Sequence, residues 1–130
     1  MKASIVISQT DARPMYLQIM EQIRQKVAVG EWKPGESIPS IRALAVELQL
    51  SVITVKRAYL ELEREGIIVT QQGKGSTVVR DPGIGPRLYE QEFREHLRQA
   101  ARIGMLLGLS EEEIGERLRA IAMQLEMEAS

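Results

Sequence analysis

The chain has 130 residues, 44% of them hydrophobic and 27% charged, which suits one folded domain or a small domain with an appended module. No run approaches the ~20 apolar residues of a membrane span, no basic-then-apolar leader opens the chain, and the lack of cysteine excludes disulfides and Cys-ligated zinc. With one histidine besides, nucleophilic and metal chemistry have few carriers, so no enzyme activity, metal or cofactor is expected; a reducing cytoplasm is the fitting compartment.

The net charge of −1 hides an asymmetry: residues 1–80 carry eleven Lys and Arg against eight Asp and Glu, residues 81–130 six against ten. A weakly basic front and an acidic back suggest two separate jobs.

Along the chain, Ile5-Val6-Ile7 is a short β-branched run followed by a polar turn. Pro14 can sit in the first turn of a helix, where its missing donor costs nothing. Tyr16, Ile19, Met20, Ile23 and Val27 then form a helical stripe that ends at Gly30. The stretch EWKPGESIPS reads as loop, and Ser40 as the N-cap of a short helix through Leu44, Ala45 and Leu48. Two residues later Ser51 caps a third helix, with Leu50 and Val55 placed as a hydrophobic staple. At 100° per residue Val55, Ala58, Tyr59 and Leu62 share the core face of that helix, while Ile53, Lys56, Arg57 and Leu60 point away from it. Gly66 stops it.

Ile67–Gln71 and Ser76–Arg80 read as the strands of a hairpin that turns through Gly73-Lys74-Gly75 and contains no acidic residue. DPGIGP, residues 81–86, reads as a linker. An αα-hairpin follows. Its first helix carries Tyr89, Phe93, Leu97, Ala100, Ile103 and Leu107, Gly108 ends it, and Ser110 with Glu113 forms a capping box for the second. Ile114, Leu118, Ile121 and Leu125 make the second apolar stripe.

The expected fold is therefore mainly α with a small β wing: a winged helix-turn-helix domain over residues 10–80, a linker at 81–86, and a two-helix arm over 87–127. Such a domain offers one helix N-terminus to the major groove of double-stranded DNA. Ser51 and Thr54 can donate to phosphates or base edges, and Lys56 and Arg57 can neutralise phosphates or reach guanine. Val52 and Ile53, at the first two helical positions, can lie against thymine methyls. Lys74 on the wing can meet a phosphate, Gly73 and Gly75 beside it let the hairpin backbone approach the duplex, and Ser40 at the start of the second helix joins the expected contact set.

From Pro34 to Val79, PGESIPSIRALAVELQLSVITVKRAYLELEREGIIVTQQGKGSTVV resembles the GntR family of bacterial transcription regulators, the match covering about residues 10 to 80. Pro39-Ser40, Arg42, Leu44-Ala45, Ser51, Thr54-Val55, Leu62, Glu65-Gly66 and Gly73-Lys74-Gly75 fall in register with that family's pattern. The resemblance implies DNA contact by Arg42, by Ser51 to Thr54, by Lys56, and by Gln72 and Gly73. The family often has arginine and a polar residue where this chain has Val52 and Ile53, which points to methyl contact rather than a guanine fork. The short tail is similar to that of the YtrA-like subfamily. This likeness implies a dimerisation arm built on Tyr89, Phe93, Leu97, Ile103, Leu107, Ile114, Leu118, Ile121 and Leu125, and targets that are often transporter operons. A repressor bound as a homodimer to an inverted repeat, released by a small-molecule effector or by a change in protein level, is the resulting expectation.

Other groups have plainer readings. Arg42 could pair with Glu47 instead of DNA, and Arg94, Arg98 and Arg102 read as a solvated helix face beside Glu90 and Glu95. His96 reads as structural, and Glu111-Glu112-Glu113 as acids favoured in a first helical turn. Leu60 needs cover from the tail or a partner chain, and Gly104 could allow close packing across a dimer. A winged helix used as a protein-interaction module, with Ile53 and Leu60 as its patch, is the alternative function; its binding would be insensitive to salt, unlike that of DNA.

Overall fold

A computed structural model describes residues 3–129. Their elements, in chain order, are α1 (Met15–Ala28), β1 (Ser37–Ile38), α2 (Ile41–Leu48), α3 (Val52–Arg64), β2 (Ile68–Gln71), β3 (Gly75–Val78), α4 (Ile84–Leu106) and α5 (Glu111–Ala129). The chain divides into two compact units, one ending at Tyr89 and one starting at Glu90.

In the first unit α1, α2 and α3 enclose a core of Ile19, Ile23, Leu44, Val55, Ala58, Tyr59 and Leu62, each at most 1% exposed. Each large apolar side chain of this cluster contributes about 1.5–3 kcal/mol when taken out of water. The face of α3 that the 3.6-residue period assigns to the core is the buried one. Both serine caps form: Ser40 Oγ accepts the Ala43 N–H at 3.1 Å, and Ser51 Oγ accepts the Thr54 N–H at 3.1 Å.

The sheet is antiparallel in the order β1-β3-β2, with Ile38 opposite Ser76 and Gln71 opposite Gly75. β1 lies in what the sequence reads as loop. Two residues carry no period of two, and it is β3 that makes them a strand. The hairpin strands are also shorter than expected, at 68–71 and 75–78.

The amino-terminal segment belongs to this unit as well, ahead of the expected start at residue 10. Ala3 and Ile5 are buried, and the backbone around them is bonded to helix side chains. Gln22 accepts the Val6 N–H at 2.9 Å and donates to the Val6 carbonyl at 2.6 Å; Gln18 does the same for Ser8 at 2.8 and 3.1 Å. The spacing explains the match. Two extended residues advance about 6.6 Å and one i,i+4 step of a helix about 6 Å, so two glutamines four apart can serve alternate residues of an extended chain.

The 81–86 stretch is a turn only as far as Gly83, after which α4 begins. Asp81 accepts the Gly83 N–H through its carboxylate and the Ile84 N–H through its carbonyl, and its side chain also pairs with Arg87. Pro86 is the third helical residue, where no intrahelical donor is required. Ile84 is 6% exposed in the first unit's core. A Cβ on Gly85 would stand 2.8 Å from the Ala28 carbonyl oxygen, so α4 starts hard against the end of α1. Gly85→Ala is therefore expected to lower the unfolding free energy by about 1–2 kcal/mol in a denaturant titration, since overpacking against backbone outweighs the gain in helix propensity.

Tyr89 also falls in the first unit rather than in the arm: its hydroxyl donates to Glu21 Oε1 at 3.1 Å.

The second unit is the helical hairpin. Gly108 has φ +76° and Leu109 N–H reaches the Gly104 carbonyl, closing α4. Ser110 and Glu113 cap α5 reciprocally, each N–H bonded to the other's side chain at 3.1 Å. Those bonds hold the Glu113 carboxyl below the usual carboxylate range. Gly104 serves this hairpin itself, because a Cβ there would sit 2.6 Å from Ile114 Cδ1. None of the α5 side chains is buried, and Phe93, Leu97, Ile103, Leu107, Leu118, Ile121 and Leu125 all stay exposed.

Candidate nucleic-acid interface

α2 and α3 are joined by Gln49, Leu50 and the cap residue Ser51. Gln49 adopts φ 57° and ψ 43°, a left-handed conformation that reverses the chain in one residue, and Leu50 N–H returns to the Ala45 carbonyl at 3.0 Å. Tyr59, buried on α3, donates to the Pro39 carbonyl at 2.6 Å and so ties α3 to the entrance of α2. Burial, with Glu47 nearby, pushes its hydroxyl above the ordinary tyrosine range, so it remains a neutral donor. The wing is tied to α3 by Glu63, which accepts the Thr70 N–H at 3.1 Å, and is cross-linked by Thr70 Oγ1 and Ser76 Oγ at 2.9 Å.

On this frame the outer surface of α3 is open. Ile53 is 80% exposed, Leu60 49% and Val52 45%. Ser51 Oγ and Thr54 Oγ1 bond each other at 2.8 Å while Ser51 Oγ also accepts the Thr54 N–H, which leaves one hydroxyl hydrogen of the pair to donate outward. Lys56 is exposed and forms no ion pair or hydrogen bond among the described residues; the same is true of Arg42 and Lys74. The neighbouring carboxylates are engaged elsewhere. Glu47 takes the Ala3 N–H, Glu61 pairs with Arg64, Glu63 holds the wing, and Glu65 is bidentate to Arg24 at 2.7 and 2.8 Å. Glu47 is thus spent on the amino-terminal segment rather than on Arg42. The unpaired cations and the satisfied carboxylates are what an anionic partner needs.

Ser40, Ile41 and Arg42 face the wing from Thr70 to Gly73 and from Gly75 to Ser76 across an open cleft of about 290 Å3. The structure therefore brings Ser40, Arg42, Gln72 and Gly73 together. Ser51 to Thr54, Lys56 and Arg57 form a second group along α3, and Lys74 stands exposed at the wing tip. Gly73 and Gly75 have φ near +80° and no atom within 4 Å of a built Cβ. Both are glycine because the turn demands the left-handed conformation, in addition to any close approach of a duplex. Arg57 is the one cation of the set already in contact. Its guanidinium lies 4.1 Å from the centre of the Tyr16 ring. Tyr16, read from the sequence only as part of a core stripe, and Thr70 and Gln71 of the cleft were not among the expected contacts; cross-element contacts of this kind leave no local signal.

Among the described residues no group of three or more His, Asp or Glu could hold a metal ion, and no helix is long and apolar enough to cross a membrane.

Comparison with known proteins agrees with this geometry. Residues 15–78 match the model for bacterial regulatory proteins of the gntR family. The chain is 33% identical over 108 residues to the uncharacterized HTH-type transcriptional regulator YhcF of Bacillus subtilis, covering 83% of this chain and 89% of that protein. It is 42% identical over 74 residues to the HTH-type transcriptional repressor YtrA of the same organism, 57% of each chain. A GntR family transcriptional regulator from Listeria monocytogenes superimposes with a TM-score of 0.74 at 28% identity, covering 85% of this chain and 96% of that one. An αL-turned helix pair, a glycine-tipped wing and a face of unpaired cations, carried on a sequence this similar, place the chain in the GntR family of DNA-binding transcription regulators.

Proposed function

We propose that the chain is a cytoplasmic repressor that binds an inverted-repeat operator as a homodimer and blocks polymerase while bound. α3 enters the major groove with Val52 and Ile53 toward thymine methyls. Ser40 and Arg42 across the cleft from Gln72 and Gly73, and Lys56 and Lys74 beside them, take the flanking phosphates. The observation that carries the reading is the outer face of α3, where an isoleucine is 80% exposed on the same helix as an unpaired lysine. An apolar side chain facing water gains nothing, whereas a thymine methyl in a groove covers it.

The arm supplies the dimer. Phe93, Leu97, Ile103 and Leu107 on α4 and Leu118, Ile121 and Leu125 on α5 are exposed in a single chain, with Ile114 half-covered beside Gly104, and a second arm would bury them. A two-fold dimer then repeats the reading helix at half-sites one or more helical turns, about 34 Å each, apart.

The test is selection of bound duplexes from a random pool at two salt concentrations. A palindromic consensus rich in thymine opposite α3, with affinity falling steeply as salt rises, is the expected result. No enrichment at low salt would reject operator recognition by the free protein.

A further inference from the structure

Arg57 stands apart from the other cations of the face. Lys56, Arg42 and Lys74 are tethered only by their own side chains, but the Arg57 guanidinium rests 4.1 Å from the centroid of Tyr16, a half-buried ring in the first turn of α1. No hydrogen bond or ion pair occupies its N–H groups among the described residues. Arg57 follows Ile53 by four residues, so it lies one turn further along the same side of α3.

A guanidinium is planar, and its five N–H donors point outward in that plane. Stacking its face on an aromatic ring therefore consumes none of them. The ring fixes the plane and leaves the donor edge free, the arrangement a bidentate grip on two phosphate oxygens requires. A long side chain held before binding also loses less freedom on contact than a mobile one. Tyr16 itself is fixed because α1 and α3 pack on each other and its ring lies partly within the core.

From these contacts we infer that Tyr16 is a positioning residue of the DNA interface, holding the Arg57 guanidinium edge-on for one backbone phosphate beside the groove that α3 reads. The inference rests on the operator reading above and adds to it a residue of α1 that need not touch DNA. The ring acts through Arg57, and its hydroxyl is dispensable.

The experiment is a binding titration on a duplex carrying the selected consensus, over a salt series, with the full chain. Tyr16→Phe keeps the stack and is expected to bind within about 2-fold of the unsubstituted protein. Tyr16→Leu removes it and is expected to weaken binding about 3- to 10-fold for each half-site, the range that re-immobilising one freed arginine side chain costs. Arg57→Ala should weaken binding at least as much and make the salt dependence shallower, and adding Tyr16→Leu to it should change nothing further. Arg57→Lys, a surface change that leaves the core intact, keeps the charge and loses the planar fork. It should preserve the salt slope but bind about 3- to 10-fold more weakly, which tests the idea even if Tyr16→Leu unfolds.

Additive effects of Tyr16→Leu and Arg57→Ala would overturn the inference, because Tyr16 would then act independently of Arg57. Equal damage from Tyr16→Phe would overturn it in favour of a hydroxyl contact to phosphate. Arg57→Lys binding like the unsubstituted chain would overturn the edge-on grip. An unsubstituted chain that fails to bind the duplex would overturn the operator reading and this inference together, before any variant is compared.

Discussion

Lys56→Ala is expected to weaken operator binding about 30- to 100-fold while leaving thermal stability unchanged. The side chain is exposed and unpaired, so its removal takes no contact from the folded chain. A phosphate-neutralising lysine contributes on the order of 1–1.4 kcal/mol, and the proposed dimer would lose it twice. The dependence of log affinity on log salt should become shallower by about two, one for each phosphate released from a protomer. Ile53→Ala should behave differently. A thymine-methyl contact carries sequence information and no charge, so its loss should relax the preference at one position of each half-site and leave the salt slope alone. Titrating both variants against the consensus and a singly substituted duplex separates the two roles. If Lys56→Ala left the salt slope unaltered, the lysine would not be meeting phosphate, and the cationic face of α3 would need another partner.

The outward placement of both residues was visible before the fold. Ser51 as a cap sets the phase of α3, and with the phase known, Val55, Ala58, Tyr59 and Leu62 must turn inward and Ile53 and Lys56 outward; the buried set is those four residues. The same local logic gives Ser40 and the reciprocal Ser110–Glu113 cap. What escaped was set by contacts between distant segments. β1 exists because β3 lies beside it. Residues 3–8 are ordered by Gln18 and Gln22 of α1, and two glutamines on a helix are ordinarily solvated. Two prolines and two glycines in DPGIGP suggested a break, yet the turn is over by Gly83, because Ile84 is drawn into the core and Pro86 falls where a helix tolerates it. Tyr89 keeps the helical phase of the arm but spends its hydroxyl on Glu21 of α1. In the site, the cap hydroxyls, Lys56 and the wing glycines follow from residue type and spacing, whereas the Tyr16–Arg57 stack joins residues 41 apart on two helices.

If the arm dimerises as proposed, replacing Leu118 and Ile121 together by glutamate is expected to convert that dimer into a monomer at micromolar concentration and to weaken binding to the full operator by about 10²- to 10⁴-fold. Leu118 and Ile121 are each a little over half exposed in the single chain and lie one turn apart on α5, so the substitutions disturb little inside the hairpin. Across a dimer they would place four carboxylates in an apolar seam with no cation to meet each one, and burying an unpaired charge costs several kcal/mol. Half-exposed Leu, Ile and Phe side chains along both arms would contribute roughly 1 kcal/mol each when fully covered, a total comparable with the cost of association, so the proposed dimer would have little reserve against such a penalty. Once the arms part, the second reading head no longer binds at the millimolar effective concentration that tethering gives it, and the avidity is lost. Binding to a duplex with a single half-site should stay within a few-fold of the unsubstituted protein, because Arg42, Lys56 and the wing are untouched. Sedimentation and paired titrations on full and half operators read both effects. A double variant that remained dimeric would move the dimer interface off α5, and one that became monomeric yet held the full operator as tightly as before would mean that a single winged domain reads the whole site.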